Sequence, residues 1–156
     1  NALHADANWT ADKSAFEWAL KKLSAQVHHD GLIVIASDFH GWNPACLEAI
    51  KQIRQHNDVI CAFVSDPLER DISDAHKLVV SDGRFQLEID PEHKDTRQRY
   101  QADFAGRYES IEASLKRHSI PLLSIDTRLP AATQIQQQLS GQSASRAATA
   151  GGERIK

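Results

Sequence analysis

The sequence has no methionine, only two cysteines and no excess of basic residues. The net charge of −3 at pH 7 argues against a dedicated nucleic-acid-binding protein, because such proteins normally carry a basic surface. The two cysteines, Cys46 and Cys61, form no Cys-x-x-Cys pair, which argues against a disulfide scaffold and favours a cytoplasmic location. Apolar runs such as 32–36 are far shorter than the roughly 18 residues that a membrane-spanning helix needs.

Because methionine is lacking, we expect the native start of the protein to lie upstream, and the parent protein could carry a membrane anchor there. Residues 1–11 are interpreted as a leader or a cloning remnant, and residues 12–139 as the folded domain. Residues 140–156 are rich in Ser, Ala, Gly and Gln, which bury little apolar surface, and this composition predicts a flexible tail.

Helical and strand-like patterns alternate along the domain. Short β-branched runs predict core strands at Leu32–Ala36, Val59–Val64 and Ile120–Ile125, and weaker strands at about 77–81 and 85–89 form a hairpin through Asp82–Gly83. Apolar residues at helical spacing predict four helices. The first begins in a capping box at Ser14, and the second begins at Asn43–Pro44. The third begins at Pro91 or Glu92, and the last begins at Pro130 and ends at Leu139. This order predicts an α/β fold, a Rossmann-like and mostly parallel sheet with helices on both faces.

Leu32–Ala36 is apolar on both faces, yet little sequence precedes it that could pair with its edge. We therefore expect an N-terminal half of the domain to be missing. A purely structural alternative is that this open edge drives self-association of the chain.

Acidic residues follow two of the core strands, and the carboxyl ends of strands are where open α/β sheets bind ligands. Asp38 follows the first strand and Asp66 the second, with Ser37 and Glu69 nearby. Carboxylates and hydroxyls suit a divalent cation such as Mg²⁺. The alternative, which the pattern favours, is that both aspartates cap loops or helices.

Few other residues or motifs in the sequence indicate a catalytic or binding function. His40 is the only histidine beside this candidate site, and Trp42 is expected to be partly exposed near it. The sequence has no His-Glu-x-x-His, no Gly-x-Ser-x-Gly and no glycine-rich phosphate loop. On the long helix, Asp103 and Arg107 have the spacing of an i,i+4 ion pair on a solvated face.

Three segments together resemble a bacterial family of von Willebrand factor A-like proteins catalogued as domain of unknown function 58. They are Gly31-Leu-Ile-Val-Ile-Ala-Ser-Asp-Phe39, His56-Asn-Asp-Val59 and Ser65-Asp-Pro-Leu-Glu-Arg70. The long helix and Ser119-Ile-Pro-Leu-Leu-Ser-Ile-Asp-Thr127 continue the likeness, which covers roughly residues 15–140.

The resemblance implies a metal-ion-dependent adhesion site in complete members, in which Asp38 matches the aspartate that follows the fourth strand. The Asp-x-Ser-x-Ser loop of that site is absent from this sequence. We therefore expect Mg²⁺ only in the full-length protein and no cofactor in this chain. Genes of the family often lie beside those of MoxR-type AAA+ ATPases, which suggests such an ATPase as the partner.

The sequence thus predicts a non-catalytic protein-interaction module that works with a MoxR-type AAA+ ATPase in complex assembly or chaperoning. Asp38 is the expected metal ligand, and the expected binding residues are Ser37, Phe39, Asp66 and Glu69. The alternative is a small metal-dependent hydrolase or phosphotransfer enzyme that uses Asp38 or Asp66.

Overall fold

The computed structural model describes residues 12–72, 78–81, 86–89 and 94–150. Within these ranges the strands are β1 (Leu32–Ser37), β2 (Asp58–Ser65), β3 (Leu78–Ser81), β4 (Gln86–Ile89) and β5 (Leu122–Asp126). The helices are α1 (Lys13–Gln26), α2 (Pro44–Arg54), α3 (Pro67–Arg70), α4 (Lys94–Arg117) and α5 (Ala131–Ala150). No helix in the described part of the chain is long and apolar enough to cross a membrane.

The central sheet consists of three parallel strands in the order β1-β2-β5. Ile35 of β1 faces Cys61 of β2, which in turn faces Leu122 of β5. Helices and neighbouring strands bury or partly bury the side chains of β2, except Asp58, and of β5, whereas on β1 only Ile35 is buried. The predicted α/β class with a parallel sheet is confirmed, and all three strands end at the same edge.

The predicted hairpin is also present as a pair of strands. β3 and β4 pair antiparallel in a separate two-stranded sheet, with Leu78 opposite Ile89 and Ser81 opposite Gln86. The Asp82–Gly83 turn and the predicted start of the long helix at Pro91 or Glu92 lie outside the described residues.

One face of the sheet forms the main core with α1, α2 and α4. At its centre lie two fully buried rings, Phe39 and Phe63, which stack with their centroids 5.9 Å apart and their planes inclined by 8°. Helices contribute buried aliphatic side chains around them, among others Leu20, Ile50, Ile53, Ile111 and Leu115. This aromatic centre lies directly below the carboxyl ends of β1 and β2, and it therefore supports the loops that follow these two strands.

The opposite face is covered unevenly. Ala62, Leu123 and Ile125 form a small second core near β5, along which α5 packs. On β1, by contrast, the side chains of Leu32 and Val34 are 63% and 58% exposed. β1 is thus an edge strand with an apolar face open to solvent, whereas the apolar run at 32–36 predicts a core strand covered on both faces.

The outer edge of β5 is closed by two glutamines that lie one helical turn apart on α5. The side-chain amide of Gln138 accepts from the N–H of Ser124 at 2.9 Å and donates to its carbonyl at 2.7 Å. Gln134 makes the same pair of bonds to Asp126, at 2.8 Å each, and also donates to the carbonyl of Leu129. The two amides replace a neighbouring strand, so this edge is protected from pairing with another chain.

Replacing Gln134 with glutamate is expected to lower the free energy of unfolding by about 2–3 kcal/mol. The change keeps the size of the side chain but removes both N–H donors and places an oxygen against two carbonyl oxygens in a buried position. Urea titration followed by circular dichroism measures the effect. Gln137→Glu, on the exposed side of the same helix, is the matched control and is expected to change stability by less than about 0.5 kcal/mol. Equal losses of unfolding free energy in the two variants would show that the hydrogen bonds from the Gln134 amide to β5 contribute nothing to stability.

Two sequence predictions are wrong at helix ends. The N-cap of α1 is Asp12, whose side chain accepts from the N–H of Ser14, so the capping box predicted at Ser14 does not form. The last helix continues to Ala150 instead of ending at Leu139. The continuation is compatible with its composition, because alanine, glutamine and arginine have high helix propensity and Gly141 alone interrupts them strongly.

Candidate functional site at the carboxyl ends of the parallel strands

Three aspartates follow or end the three parallel strands, and we call them the aspartate rim: Asp38, Asp66 and Asp126. Because β1, β2 and β5 are parallel neighbours, the three residues lie along one edge of the sheet in that order. The sequence predicted the common location of Asp38 and Asp66, and the strand pairing agrees with it. Asp126 joins them as the residue that the sequence reasoning missed.

Asp38 lies in a tight loop that leaves β1. One of its carboxylate oxygens, Oδ1, accepts from the backbone N–H of His40 at 3.0 Å and from the hydroxyl of Ser37 at 3.3 Å. The Ser37 hydroxyl in turn accepts from the N–H of Phe39 at 3.0 Å. Phe39 has a φ of +54°, an uncommon backbone conformation for a bulky side chain. These bonds hold the loop in shape, and Asp38 remains exposed.

Asp66 caps the short helix α3 and also ties β2 to the segment after β5. Its Oδ1 accepts from the N–H of Leu68 at 2.9 Å, and its Oδ2 accepts from the hydroxyl of Thr127 at 2.8 Å. The Leu68 bond, followed by the Thr127 bond, lowers the pKa of Asp66, while the neighbouring charge of Asp126 opposes this shift. Asp66 is therefore the charged carboxylate of a capping box, as the structural alternative from the sequence predicted.

Glu69 completes that capping box and makes a second, longer-range contact. Its Oε1 accepts from the N–H of Asp66 at 3.2 Å, and its Oε2 lies 3.3 Å from Nη2 of Arg107 on α4. The sequence spacing predicted Asp103 as the partner of Arg107, and the structure pairs it with Glu69 instead. Glu69 therefore fastens α4 to the end of β2.

Asp126 and Arg70 organise the far end of the rim. Oδ1 of Asp126 accepts from the N–H of Arg128 at 2.8 Å, and this bond is the main reason why the pKa of Asp126 is lowered. Arg70 bridges β2 and β5, because its guanidinium donates to the hydroxyls of both Ser65 and Ser124. This cation partly balances the charge of Asp126.

The described residues do not by themselves fit a magnesium ion. In residues 12–72, 78–81, 86–89 and 94–150, no three His, Cys, Asp or Glu side chains are grouped so that they could hold a metal. The Asp38 carboxylate and the Ser37 hydroxyl are oxygen ligands of the right kind, but Mg²⁺ requires nearly ideal octahedral coordination by oxygens. These two groups would need further ligands, and we derive no step through a metal ion.

The predicted binding residues fall into two groups. The acidic residues and Ser37 lie at the carboxyl ends of the strands, at the surface or partly buried. Phe39 is fully buried, with its ring in contact with Phe16, Trp42 and Phe63, so its ring presents no surface to a partner. Its role in this structure is to fix the Asp38 loop to the core. Trp42 is half-buried and packs edge-on against Phe39.

Both thiols are buried in the core. Burial raises the pKa of Cys61 to about 12 and is the main cause of the raised pKa of Cys46. A thiol with a raised pKa is protonated at neutral pH and is a poor nucleophile. The Ser37 hydroxyl is engaged with Asp38 and the backbone. The potential nucleophiles of this region are thus held in structural bonds or in the core.

Arg70, Arg107 and Thr127 also shape the site, and the sequence reasoning did not select them. Thr127 and Asp126 follow a predicted strand just as Asp38 and Asp66 do, so the same rule would have found them. The local spacing paired Arg107 with Asp103 and did not indicate its partner Glu69, which is 38 residues away in the sequence.

Comparison of the chain with protein-family models, with curated proteins and with solved structures finds no match in any of the three.

Proposed function

We propose that this chain is a non-catalytic protein-interaction module of the von Willebrand factor A type, whose aspartate rim contacts the partner. The observation that carries the proposal is the exposed carboxylate of Asp38 at the end of an edge strand, beside Asp66 and Asp126 on the same side of the sheet. A parallel α/β sheet is the architecture that the family resemblance implies, and the rim is where such sheets bind ligands.

The geometry of the carboxylates supports binding in preference to turnover. Asp66 and Asp126 have lowered pKa values because backbone N–H groups bond to them, so they stay charged at neutral pH and are poor general acids. Their bonds also fix them in place. Fixed, charged and partly exposed carboxylates favour a partner that carries basic groups or hydrogen-bond donors.

The partner that we propose is a MoxR-type AAA+ ATPase, acting with this protein in complex assembly or chaperoning. The support for this partner is the likeness of the Asp38, Asp66 and Ser119–Thr127 segments to the von Willebrand factor A-like family. The hairpin and long α4 that this likeness includes are both present in the structure.

Replacing Asp38 with asparagine is expected to weaken binding to the MoxR-type ATPase of the same organism at least about tenfold. Asparagine retains the Oδ1 acceptor that the N–H of His40 uses, so the loop keeps its shape while the charge is lost. Asp58→Asn is the matched control, because Asp58 is an exposed residue at the opposite end of β2. Biolayer interferometry with immobilised chain measures the dissociation constants.

Equal affinity of the two variants would contradict the role of Asp38, and absence of binding by the unmodified chain would contradict the proposed partner. Repeating the measurement in Mg²⁺ and in EDTA shows whether the contact uses a metal ion. Turnover of phosphoesters or acyl esters that is lost in Asp38→Asn would support the enzymatic alternative and overturn the non-catalytic assignment.

A further inference from the structure

A cavity of about 390 Å³ lies between the start of α1, the Asp38 loop and α4. Its lining includes three basic side chains from these three elements, Lys13, His40 and Arg107, together with Trp42 and Ser110. The volume falls within the range of small-ligand sites. None of the rim carboxylates is part of this lining, so the cavity is distinct from the proposed partner contact.

Two of these side chains carry buried nitrogens that lack hydrogen bonds. In the described part of the chain, Nε2 of His40 and Nε of Arg107 are shielded from solvent and have no partner. A buried polar atom without a partner, whether donor or acceptor, destabilises the protein by about 1–3 kcal/mol. The cavity that both residues line offers room for a ligand to accept from them after a small rotation of the side chains.

The charge of the lining points to an anion. Arg107 contributes a permanent positive charge. Glu69 partly balances this charge, because its Oε2 lies 3.3 Å from Nη2 of Arg107. Lys13 has no acidic partner among the described residues, and no carboxylate lines the cavity. With about one uncompensated cation, the lining suits a monoanion better than a phosphate dianion.

The guanidinium of Arg107 packs against two aromatic rings. The guanidinium carbon of Arg107 lies 5.9 Å from the centroid of the Phe63 ring and 5.6 Å from that of Phe104. Trp42 packs against Phe39 on the other side of the loop. These rings and Glu69 restrict the guanidinium to small movements, so little side-chain entropy is lost when it turns towards a ligand.

We propose that this cavity is a receptor for a carboxylate group, which accepts hydrogen bonds from His40 and Arg107 and is attracted by Lys13. The carboxylate could belong to a free small acid or to an acidic side chain of a peptide, and both present the same chemistry. The site stands independently of the proposed function, because it uses neither Asp38 nor a partner ATPase.

Nitrogen-15 NMR titrations of the chain at constant ionic strength test this site with three probes: sodium propionate, a blocked glutamate peptide and inorganic phosphate. Saturable shifts of the Arg107 Nε–H and His40 ring signals are expected with the two carboxylates. Lys13→Gln is expected to raise the dissociation constant at least about fivefold. Lys22→Gln, a change in another exposed lysine of α1, is expected to leave it unchanged.

Tighter binding of the peptide than of propionate would identify a side chain as the source, and the reverse would identify a free acid. Shifts that do not saturate, equal affinity of Lys13→Gln and the unmodified chain, or tighter binding of phosphate than of either carboxylate would overturn the proposal. Lys13 is exposed, so this variant tests the site without disturbing the core.

Discussion

Replacing Phe63 with alanine is expected to lower the free energy of unfolding by about 3–5 kcal/mol, as is typical of large aromatic deletions in a core. Phe63 is fully buried at the centre of β2 and stacks on Phe39. Phe104 and Tyr108 pack against it in T-shaped contacts, and their ring centroids lie 5.9 and 5.2 Å from the centroid of Phe63. Alanine would leave a cavity that these rings, held on the loop after β1 and on α4, could not fill.

Urea titration followed by circular dichroism measures this loss. Trp18→Ala is the control for loss of an aromatic side chain, because Trp18 is 62% exposed and its contact is a cation–π interaction with Lys22. Its expected effect is about 1 kcal/mol or less. A loss for Phe63→Ala no larger than that of the control would show that the rings do not form the packed centre described above.

Replacing Gly41 with alanine is expected to lower the free energy of unfolding by about 2–4 kcal/mol. Gly41 has a φ of +79°, where a side chain is strained, and an added Cβ would lie 2.1 Å from the carbonyl oxygen of Lys13. The first turn of α1 would have to move away from the Asp38 loop. The same change would open the cavity between α1 and α4, so propionate binding is expected to weaken with it.

Replacing Gly106 with alanine is expected to have the opposite effect on stability. Gly106 lies within α4, and a Cβ there would meet nothing within 4 Å. Because alanine favours helices, this change is expected to raise stability by up to about 1 kcal/mol. Thermal unfolding of both variants measures the difference, and a destabilisation of Gly106→Ala equal to that of Gly41→Ala would contradict the account of the close approach at Lys13.

The parallel sheet could be predicted from the sequence because its strands are almost purely apolar. Leu32–Ala36 and Val59–Val64 match β1 and β2 to within one residue at each end. The alternation with helices then fixed the parallel direction, since parallel strands need crossover connections. The ends of α1 and α5 were missed because several nearby residues can cap or continue a helix equally well.

The candidate site could be predicted only in part, for a physical reason. Asp38 and Asp66 were placed together because the ends of parallel strands must share one edge of the sheet. Arg107 and Lys13 could not be placed, because their positions depend on how α4 and α1 pack against the loop after β1. Contacts across the fold between single residues of different helices leave no periodic pattern in the sequence.

Nuclear Overhauser effects between backbone protons of β1 and β2 test the central claim of this account most directly, namely that Asp38 and Asp66 share one edge of the sheet. We predict cross-peaks that place Ile33 beside Val59 and Ser37 beside Phe63, as in the parallel register. Cross-peaks that place Ile33 beside Phe63 and Ser37 beside Val59 would reverse one strand, separate the two aspartates and contradict the account.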